Sequence, residues 1–143
     1  MVGKLLPVPT RTSAPFWEGL RRHEVLIQRC ADCGQWVFYP RSNCSCCLSG
    51  NLEWEPVSGN GTIYSFSIAR VATLAEFADQ VPQLLIVVEL DEGVRVNSVL
   101  VGAVPESISI GMPVRPVFVA GADDEPTLLH FTPAQGARQE DAA

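Results

Sequence analysis

Long apolar segments and phosphate-binding loops are missing from this 143-residue sequence. It has no stretch of eighteen apolar residues, which argues against a membrane-spanning helix. Neither GxGxxG nor GxxxxGK[ST] occurs, so the two common nucleotide-binding loops are absent. Residues 1–9 contain no long apolar run that ends in a small-residue cleavage site, as a secretory leader would. We therefore expect a soluble, cytoplasmic protein without a membrane partner.

Residues suited to catalysis are also few. The chain has two histidines, His23 and His130, and neither has a Ser or Cys at a spacing typical of nucleophilic catalysis. Neighbouring carboxylates at Asp91–Glu92 and at 123–125 lie in predicted turns, where acidic side chains are usually solvated. The sequence thus indicates a protein that is not an enzyme on its own.

Positive charge is scarce in the larger, second part of the chain. The net charge is −6. Residues 1–41 carry six Lys or Arg and three acidic residues, whereas residues 42–143 carry four basic and thirteen acidic residues. Nucleic-acid binding depends on basic residues that neutralise phosphates. The acidic second part therefore argues against a nucleic-acid partner.

Five cysteines are present, and four of them form two CxxC pairs. Cys30 and Cys33 make the first pair, ten residues follow, and Cys44 and Cys47 make the second. Two such turns can present four thiolates to one tetrahedral ion, which is the ligand set of a structural zinc site. We predict one Zn²⁺ per chain, in a closed site with no position for a catalytic water.

Two other interpretations of the cysteines stay open. A pair of disulfides would need an oxidising compartment, and a redox-active CxxC would be expected within a βαβ pattern, which surrounds neither pair. The fifth cysteine, Cys46, follows Cys44 by two residues, a spacing that suits a shared metal less well than that of Cys47. We interpret Cys46 as a spare thiol.

The pattern of apolar residues divides the chain into four predicted parts. Residues 1–24 are an arm followed by a short amphipathic helix that starts near Pro15. Residues 25–56 are a three-stranded zinc ribbon, residues 57–133 a second β unit, and residues 134–143 a disordered tail. The ribbon is too small for a core of its own, so the metal must supply its stability, about 10–16 kcal/mol in comparable peptides.

The second β unit has the pattern of a small closed barrel. Five apolar or alternating segments predict five strands, with a helical turn at 105–108 between the third and the fourth. The fold class is therefore mainly β: an N-terminal helix, a rubredoxin-like zinc ribbon and a five-stranded OB-fold barrel. Residues 84–90 are almost continuously apolar, which predicts a strand buried on both faces. Residues 71–81 form the longest connection, and its Leu74 and Phe77 either fold back over the barrel or offer an apolar surface.

A series of short motifs runs from about residue 14 to residue 133. They are PFWEGL at 15–20, QRCADCG at 28–34, YPR at 39–41, CSCC at 44–47, LEW at 52–54, VSGNGTIYS at 57–65, VELDEGV at 88–94, IGMPV at 110–114 and FTP at 131–133. In this order they resemble the acyl-CoA-associated zinc-ribbon/OB-fold family, long catalogued as a domain of unknown function. That family usually has Cys-Pro-x-Cys-Gly at its second turn, where Ser45 and Leu48 replace Pro and Gly here, but the ligand spacing survives.

The resemblance implies a helper subunit that binds an acyl-CoA enzyme. Family members occur beside, or fused to, thiolase-like enzymes and help to shape the acyl-CoA site. One branch pairs with thiolase-like aldolases that cleave the side chain of steroid-CoA thioesters. The implied role is a non-catalytic zinc-binding subunit of such an aldolase, in a 2:2 heterotetramer, with the CoA thioester as a shared ligand. An acetoacetyl-CoA thiolase or a polyketide-type acyltransferase is an alternative partner.

Two sets of residues are candidates for these contacts. The first would form the CoA or substrate channel and combines basic with aromatic residues: Arg21, Arg22, Arg41, Tyr64, Phe66 and Arg70. The second would form the partner interface through apolar side chains of the helix and the long connection: Phe16, Trp17, Leu74 and Phe77. The alternatives are a helix that packs on its own domain with solvated arginines, a free-standing acyl-CoA-binding protein, and a single-strand nucleic-acid-binding OB protein.

Overall fold

The computed structural model describes residues 6–134 of the chain. The first five residues of the predicted arm, and the predicted tail except for Ala134, lie outside this range. Among the helices of residues 6–134, none has the length and apolar character needed to cross a membrane.

One short helix, α1 (Ala14–Arg21), precedes the sheets. It begins after Ser13 with Pro15 in its first turn, where the missing N–H of proline costs no hydrogen bond. Its inner side is buried at Phe16, Gly19 and Leu20. A Cβ on Gly19 would lie 2.9 Å from the Cγ atom of Leu26, so a glycine is needed for α1 to pack this closely against the next strand.

Three short antiparallel strands form the ribbon in the order β2–β1–β3. Their bounds are Val25–Cys30 for β1, Trp36–Val37 for β2 and Leu52–Val57 for β3. The buried side chain of Gln28 accepts a hydrogen bond from the Arg41 backbone N–H (2.8 Å) and donates one to the Arg41 carbonyl (2.9 Å). This pair of bonds attaches the segment before the second cysteine turn to the central strand.

Five strands close into a barrel, as the sequence predicts, and the structure gives their order as β4–β5–β6–β8–β7. The bounds are Gly61–Ala69 for β4, Gln83–Leu90 for β5, Arg95–Leu100 for β6, Pro113–Val119 for β7 and Leu128–Pro133 for β8. The predicted helical turn is a 3₁₀ helix at Pro105–Ser107, between the third and fourth barrel strands. A Cβ on Gly61 would lie 2.9 Å from the Cα atom of Leu90, so the strands meet closely where β4 begins.

Helix, ribbon and barrel share one apolar core. Phe16 and Leu20 of α1 and Val25 and Ile27 of β1 belong to the same buried cluster as the inward side chains of the barrel strands, including Phe131. Phe16 is only 7% exposed. The ring therefore packs inside its own chain, which favours the alternative of a helix packed on its own domain; a role of Phe16 at a partner interface stays a prediction.

Two further contacts join the ribbon side to β7. The His23 ring stacks on the Phe118 ring with 4.9 Å between centroids and 5° between planes. Gly59 has a φ of +80°, and a Cβ there would lie 2.9 Å from the Cγ atom of Pro116. The link between ribbon and barrel therefore passes tightly against β7.

The long connection at 71–81 contains a 3₁₀ helix, Ala75–Gln80, that the sequence pattern does not predict. Phe77 is half-buried on this helix, whereas Leu74 is 47% exposed and Val71 is 83% exposed. Each of the two interpretations therefore holds for part of the connection, because Phe77 folds back whereas Leu74 and Val71 face outward.

Candidate metal centre and barrel face

The two cysteine turns are closed by equivalent backbone hydrogen bonds. In the first, Gly34 N–H donates to the Cys30 carbonyl (2.9 Å); in the second, Leu48 N–H donates to the Cys44 carbonyl (3.0 Å). Each turn also aims a backbone N–H at its first sulfur, from Cys33 to the Cys30 Sγ and from Cys46 to the Cys44 Sγ, at 3.4 and 3.3 Å. The first cysteine of each pair is buried and the second is exposed.

The four predicted ligands converge on one point. Their sulfur atoms all lie within 4.8 Å of one another, with 3.5 Å between the sulfurs of Cys30 and Cys47 and 3.6 Å between those of Cys33 and Cys44. Tetrahedral zinc with Zn–S bonds of about 2.3 Å sets its sulfurs about 3.8 Å apart. A disulfide would need about 2.05 Å, and all five cysteines are free. The donor set thus fits a structural zinc ion.

The thiols of the centre differ in acidity. Backbone N–H groups of Cys47 and Cys46 lower the pKa of Cys44 to about 7, and the N–H of Cys33 lowers the pKa of Cys30. The N–H of Gln35 acts in the same direction on Cys33, but burial and the neighbouring sulfurs outweigh it and raise the pKa of Cys33 to about 12. Zinc binds thiolates, so its binding displaces the protons that the less acidic thiols retain.

The ligand assignment predicts different results for adjacent cysteines. Cys46 lies outside the group of four and is exposed, and its contact with Cys44 uses its backbone N–H and not its side chain. Cys46→Ser should therefore keep close to one zinc per chain, while Cys47→Ser and Cys30→Ala should lose the ion and yield insoluble protein. Metal analysis of the purified soluble protein and of the washed insoluble fraction measures this, and equal zinc loss from Cys46→Ser and Cys47→Ser would refute the assignment.

Leu48 adopts a backbone conformation that normally favours glycine. Its φ is +65°, and the equivalent residue of the first turn, Gly34, has a φ of +79°. Its side chain is 75% exposed, so packing recovers little of the strain, which is about 1–2 kcal/mol for an L-residue in this region. The departure from the usual Cys-Gly of the family therefore leaves the second turn strained.

Relief of this strain is measurable. We expect Leu48→Gly to raise the free energy of unfolding of the zinc-loaded protein by about 1 kcal/mol, because glycine adopts the positive φ without a Cβ clash. Gly34→Ala is the matched control at the equivalent position and should be destabilising, although nothing lies within 4 Å of the added Cβ. Denaturant titration measures both, and a less stable Leu48→Gly variant would contradict the strain.

The outer side of the barrel carries an apolar patch, which we call the barrel face; the Glu89–Arg95 ion pair of β5 and β6 lies beyond one end of it, and Glu125 borders one of its cavities. The barrel face consists of the outward residues Leu85 and Val87 of β5, Asn97 and Val99 of β6, and His130 of β8. Desolvation of the half-buried ring lowers the pKa of His130, which favours its neutral form. Residues 84–90 were predicted to be buried on both faces, and this is wrong: Leu84, Ile86, Val88 and Leu90 face the core, but Leu85 is 39% exposed.

Three adjoining cavities lie along the barrel face. One of about 290 Å³ is bounded by Trp17 and reaches Asn97, Val99 and His130. A second of about 480 Å³ is bounded by Phe77 and reaches Val99 and His130 from the other side. The third, of about 310 Å³, is lined by Ser65, Phe66, Ser67, Leu85, Ile86, Val87, Asn97 and Ser98. Trp17 and Phe77, which are distant in sequence, therefore border one continuous surface.

The residues predicted for the CoA channel do not form one cluster, and two of the arginines lie beside carboxylates. Arg21 lies 3.7 Å from the carboxylate of Glu18, and Arg22 lies 3.0 Å from that of Glu24. A small cavity beside Arg21 is also lined by acidic residues of the β7–β8 loop, Asp123, Asp124 and Glu125. Nearby carboxylates weaken the attraction of these arginines for phosphate. Arg41 donates to the Tyr39 carbonyl (3.3 Å).

The barrel members of that set lie along β4. Phe66 borders the third cavity, and Arg70 is exposed just after the strand ends. Tyr64 is covered by Arg95, whose Cζ atom is 3.7 Å from the ring centroid and whose Nε atom is 3.2 Å from Glu89. Sequence reasoning missed Arg95, since the cross-strand arrangement of β4, β5 and β6 brings it over Tyr64.

A four-thiol ribbon joined through one core to a closed five-stranded barrel defines a zinc-ribbon/OB-fold protein. The family model of the ChsH2 rubredoxin-like zinc ribbon domain matches residues 17–53, and that of the ChsH2 C-terminal OB-fold domain matches residues 54–119. The chain belongs to this ChsH2 family, whose domain is also called DUF35.

Curated relatives carry two kinds of name. A "DUF35 domain-containing scaffold protein" of Methanothermobacter thermautotrophicus is 39% identical over 68% of this chain and 74% of the relative. The "Probable enoyl-CoA hydratase alpha subunit" of Thermomonospora curvata is 36% identical over 90% of this chain. The "3-oxo-4,17-pregnadiene-20-carboxyl-CoA hydratase alpha subunit" of Mycobacterium tuberculosis is 36% identical over 79%. The match spans only 39% and 35% of the lengths of these two hydratase subunits.

A solved structure extends the similarity to nearly the whole fold. The chain in the "Ltp2-ChsH2(DUF35) aldolase" is 35% identical, with a TM-score of 0.77 over 90% of this chain and 98% of that chain. The ribbon and barrel described above therefore have the arrangement of a protein that was solved as part of an aldolase.

Proposed function

We propose that this chain is a non-catalytic, zinc-binding accessory subunit of a thiolase-like acyl-CoA enzyme. The leading case is an aldolase that cleaves the side chain of a steroid-CoA thioester in the cytoplasm. The observation that carries the proposal is the apolar barrel face, together with the similarity to the chain of the Ltp2-ChsH2 aldolase. An acetoacetyl-CoA thiolase or a polyketide-type acyltransferase is the alternative partner.

The barrel face has the composition of a protein interface. Strand β5 carries apolar residues on both sides, a pattern typical of strands with both faces covered, yet only its inner side is covered by this chain. Apolar surface that is continuous and bordered by aromatic rings usually marks an interaction site. Trp17 and Phe77 border the barrel face, and Phe16 packs against Trp17 with 5.1 Å between ring centroids. Leu74 is exposed on the same connection as Phe77.

The chemistry of a retro-aldol cleavage would come from the partner. In that reaction a base removes the proton of the β-hydroxyl group, the Cα–Cβ bond breaks, and its electrons form the thioester enolate, which an acid then protonates. Of the five barrel-face residues His130 alone is titratable, and Glu125, which lines a cavity with it, accepts a hydrogen bond from the Ala122 N–H of its own loop (2.9 Å). The role of this chain would be to cover the acyl-CoA channel and exclude water, while zinc holds the ribbon.

Docking through the barrel face is testable with charge substitutions. The full chain should co-elute with a co-expressed thiolase-like enzyme, with a mass for two copies of each by light scattering. Leu85→Glu should separate the two proteins, because it places a charge in an apolar interface, whereas Ile110→Glu is a matched control at a 63% exposed residue outside the face. Separate elution of the unsubstituted proteins at micromolar concentration would refute the accessory role.

Steering of CoA phosphates is a second prediction for the complex. Reversal of charge in the double variant Arg21→Glu with Arg22→Glu should raise the KM for the CoA thioester several-fold, because basic surface attracts the phosphates. The effect should shrink at high salt, where such attraction is screened. Steady-state kinetics measures both. An unchanged KM would mean that these arginines serve only their partners Glu18 and Glu24, and activity of this chain alone would contradict a non-catalytic subunit.

A further inference from the structure

Asp32 joins the two cysteine turns through a single carboxylate oxygen. It lies in the first turn, between the ligands Cys30 and Cys33. Its Oδ2 atom accepts hydrogen bonds from the hydroxyl of Ser49 and from the side-chain amide of Asn51, the latter at 3.0 Å. Both donors belong to the segment that leaves the second turn. One side chain of the first turn therefore holds the exit of the second.

Backbone hydrogen bonds make this segment part of both turns. Ala31 N–H donates to the Asn51 carbonyl and Cys44 N–H donates to the Ser49 carbonyl, each at 2.8 Å. The Ser49 hydroxyl in turn accepts the Asn51 N–H at 3.0 Å. Residues 49–51 thus have one hydrogen bond to the backbone of each turn. The Asp32 side chain adds a further connection between the first turn and this segment.

We propose that Asp32 is a positioning residue for the metal centre. Without an ion, the four thiols stay converged only if the protein itself holds the two turns in register. The Asp32 link does so, which lowers the ordering cost of metal binding and slows metal loss. The residue does not act as a ligand, since the convergent donor set consists of the four cysteines alone and the carboxylate is occupied by Ser49 and Asn51.

The charge of Asp32 would have the opposite effect on the metal. Zinc with four thiolates has a net charge of −2, so a neighbouring carboxylate repels the filled centre. If repulsion were the larger effect, removal of the carboxylate would tighten metal binding. If positioning is the larger effect, removal would weaken it. The sign of the change in metal retention therefore decides between the two roles.

The experiment measures the rate of zinc loss from the purified full chain to an excess of a chromogenic chelator. Asp32→Ala should lose zinc about tenfold faster than the unsubstituted chain, the lower end of the range for groups that orient metal ligands. Asp124→Ala removes an exposed carboxylate from the β7–β8 loop and should leave the rate unchanged. Addition of Asn51→Ala to Asp32→Ala should cause little further change, because the Asn51 side-chain amide acts through Asp32 and contacts in one network are not additive.

Two further measurements separate positioning from other effects. Cobalt(II)-loaded Asp32→Ala should keep the visible spectrum of a four-thiolate site. A changed spectrum would mean that Asp32 belongs to the ligand set, which would overturn its role as a positioning residue. Asp32→Asn keeps one acceptor oxygen without the charge, so it should release zinc at a rate between those of the unsubstituted chain and Asp32→Ala. Zinc release from Asp32→Ala or Asp32→Asn at or below the unsubstituted rate would overturn the proposal.

Discussion

A single apolar core, shared by α1, the base of the ribbon and the barrel, is the constraint on which the rest of the structure depends. Val25 and Ile27 on β1 are buried with Ile63 and Phe131 of the barrel, so the first ribbon strand starts inside the barrel's core. The same strand ends at Cys30, a ligand of the metal centre. Burial at one end of β1 and metal ligation at the other therefore place the cysteine turns relative to the barrel.

This arrangement also explains why one side of the barrel is left open. The core takes up the inward residues of β5, β6 and β8, and α1 covers only the border of the outer side, where Trp17 meets Asn97 and His130. The long connection covers the opposite border through Phe77. Between them Leu85, Val87 and Val99 form an apolar patch, and the proposed partner would complete the burial that this chain begins.

Sequence reasoning predicted the features that depend on local patterns of residues. Spacing within each CxxC turn is set by a few residues, so the four ligands were predicted and the sulfurs do converge. The five barrel strands were likewise predicted from their apolar segments. The burial of Phe16 was one of two alternatives and the exposure of Leu85 was not predicted, because amphipathic periodicity identifies a side of a helix or strand but not what lies against it.

The sequence by itself determined the zinc ribbon and the barrel, since each rests on residue type and short-range spacing. Only the tertiary structure decided which charges are paired and which surfaces meet. Arg21 and Arg22 have carboxylate neighbours, Arg95 covers Tyr64 across three strands, and Asp32 reaches the far turn. Such contacts depend on strand register, barrel closure and the direction of each side chain. Local sequence patterns do not specify these.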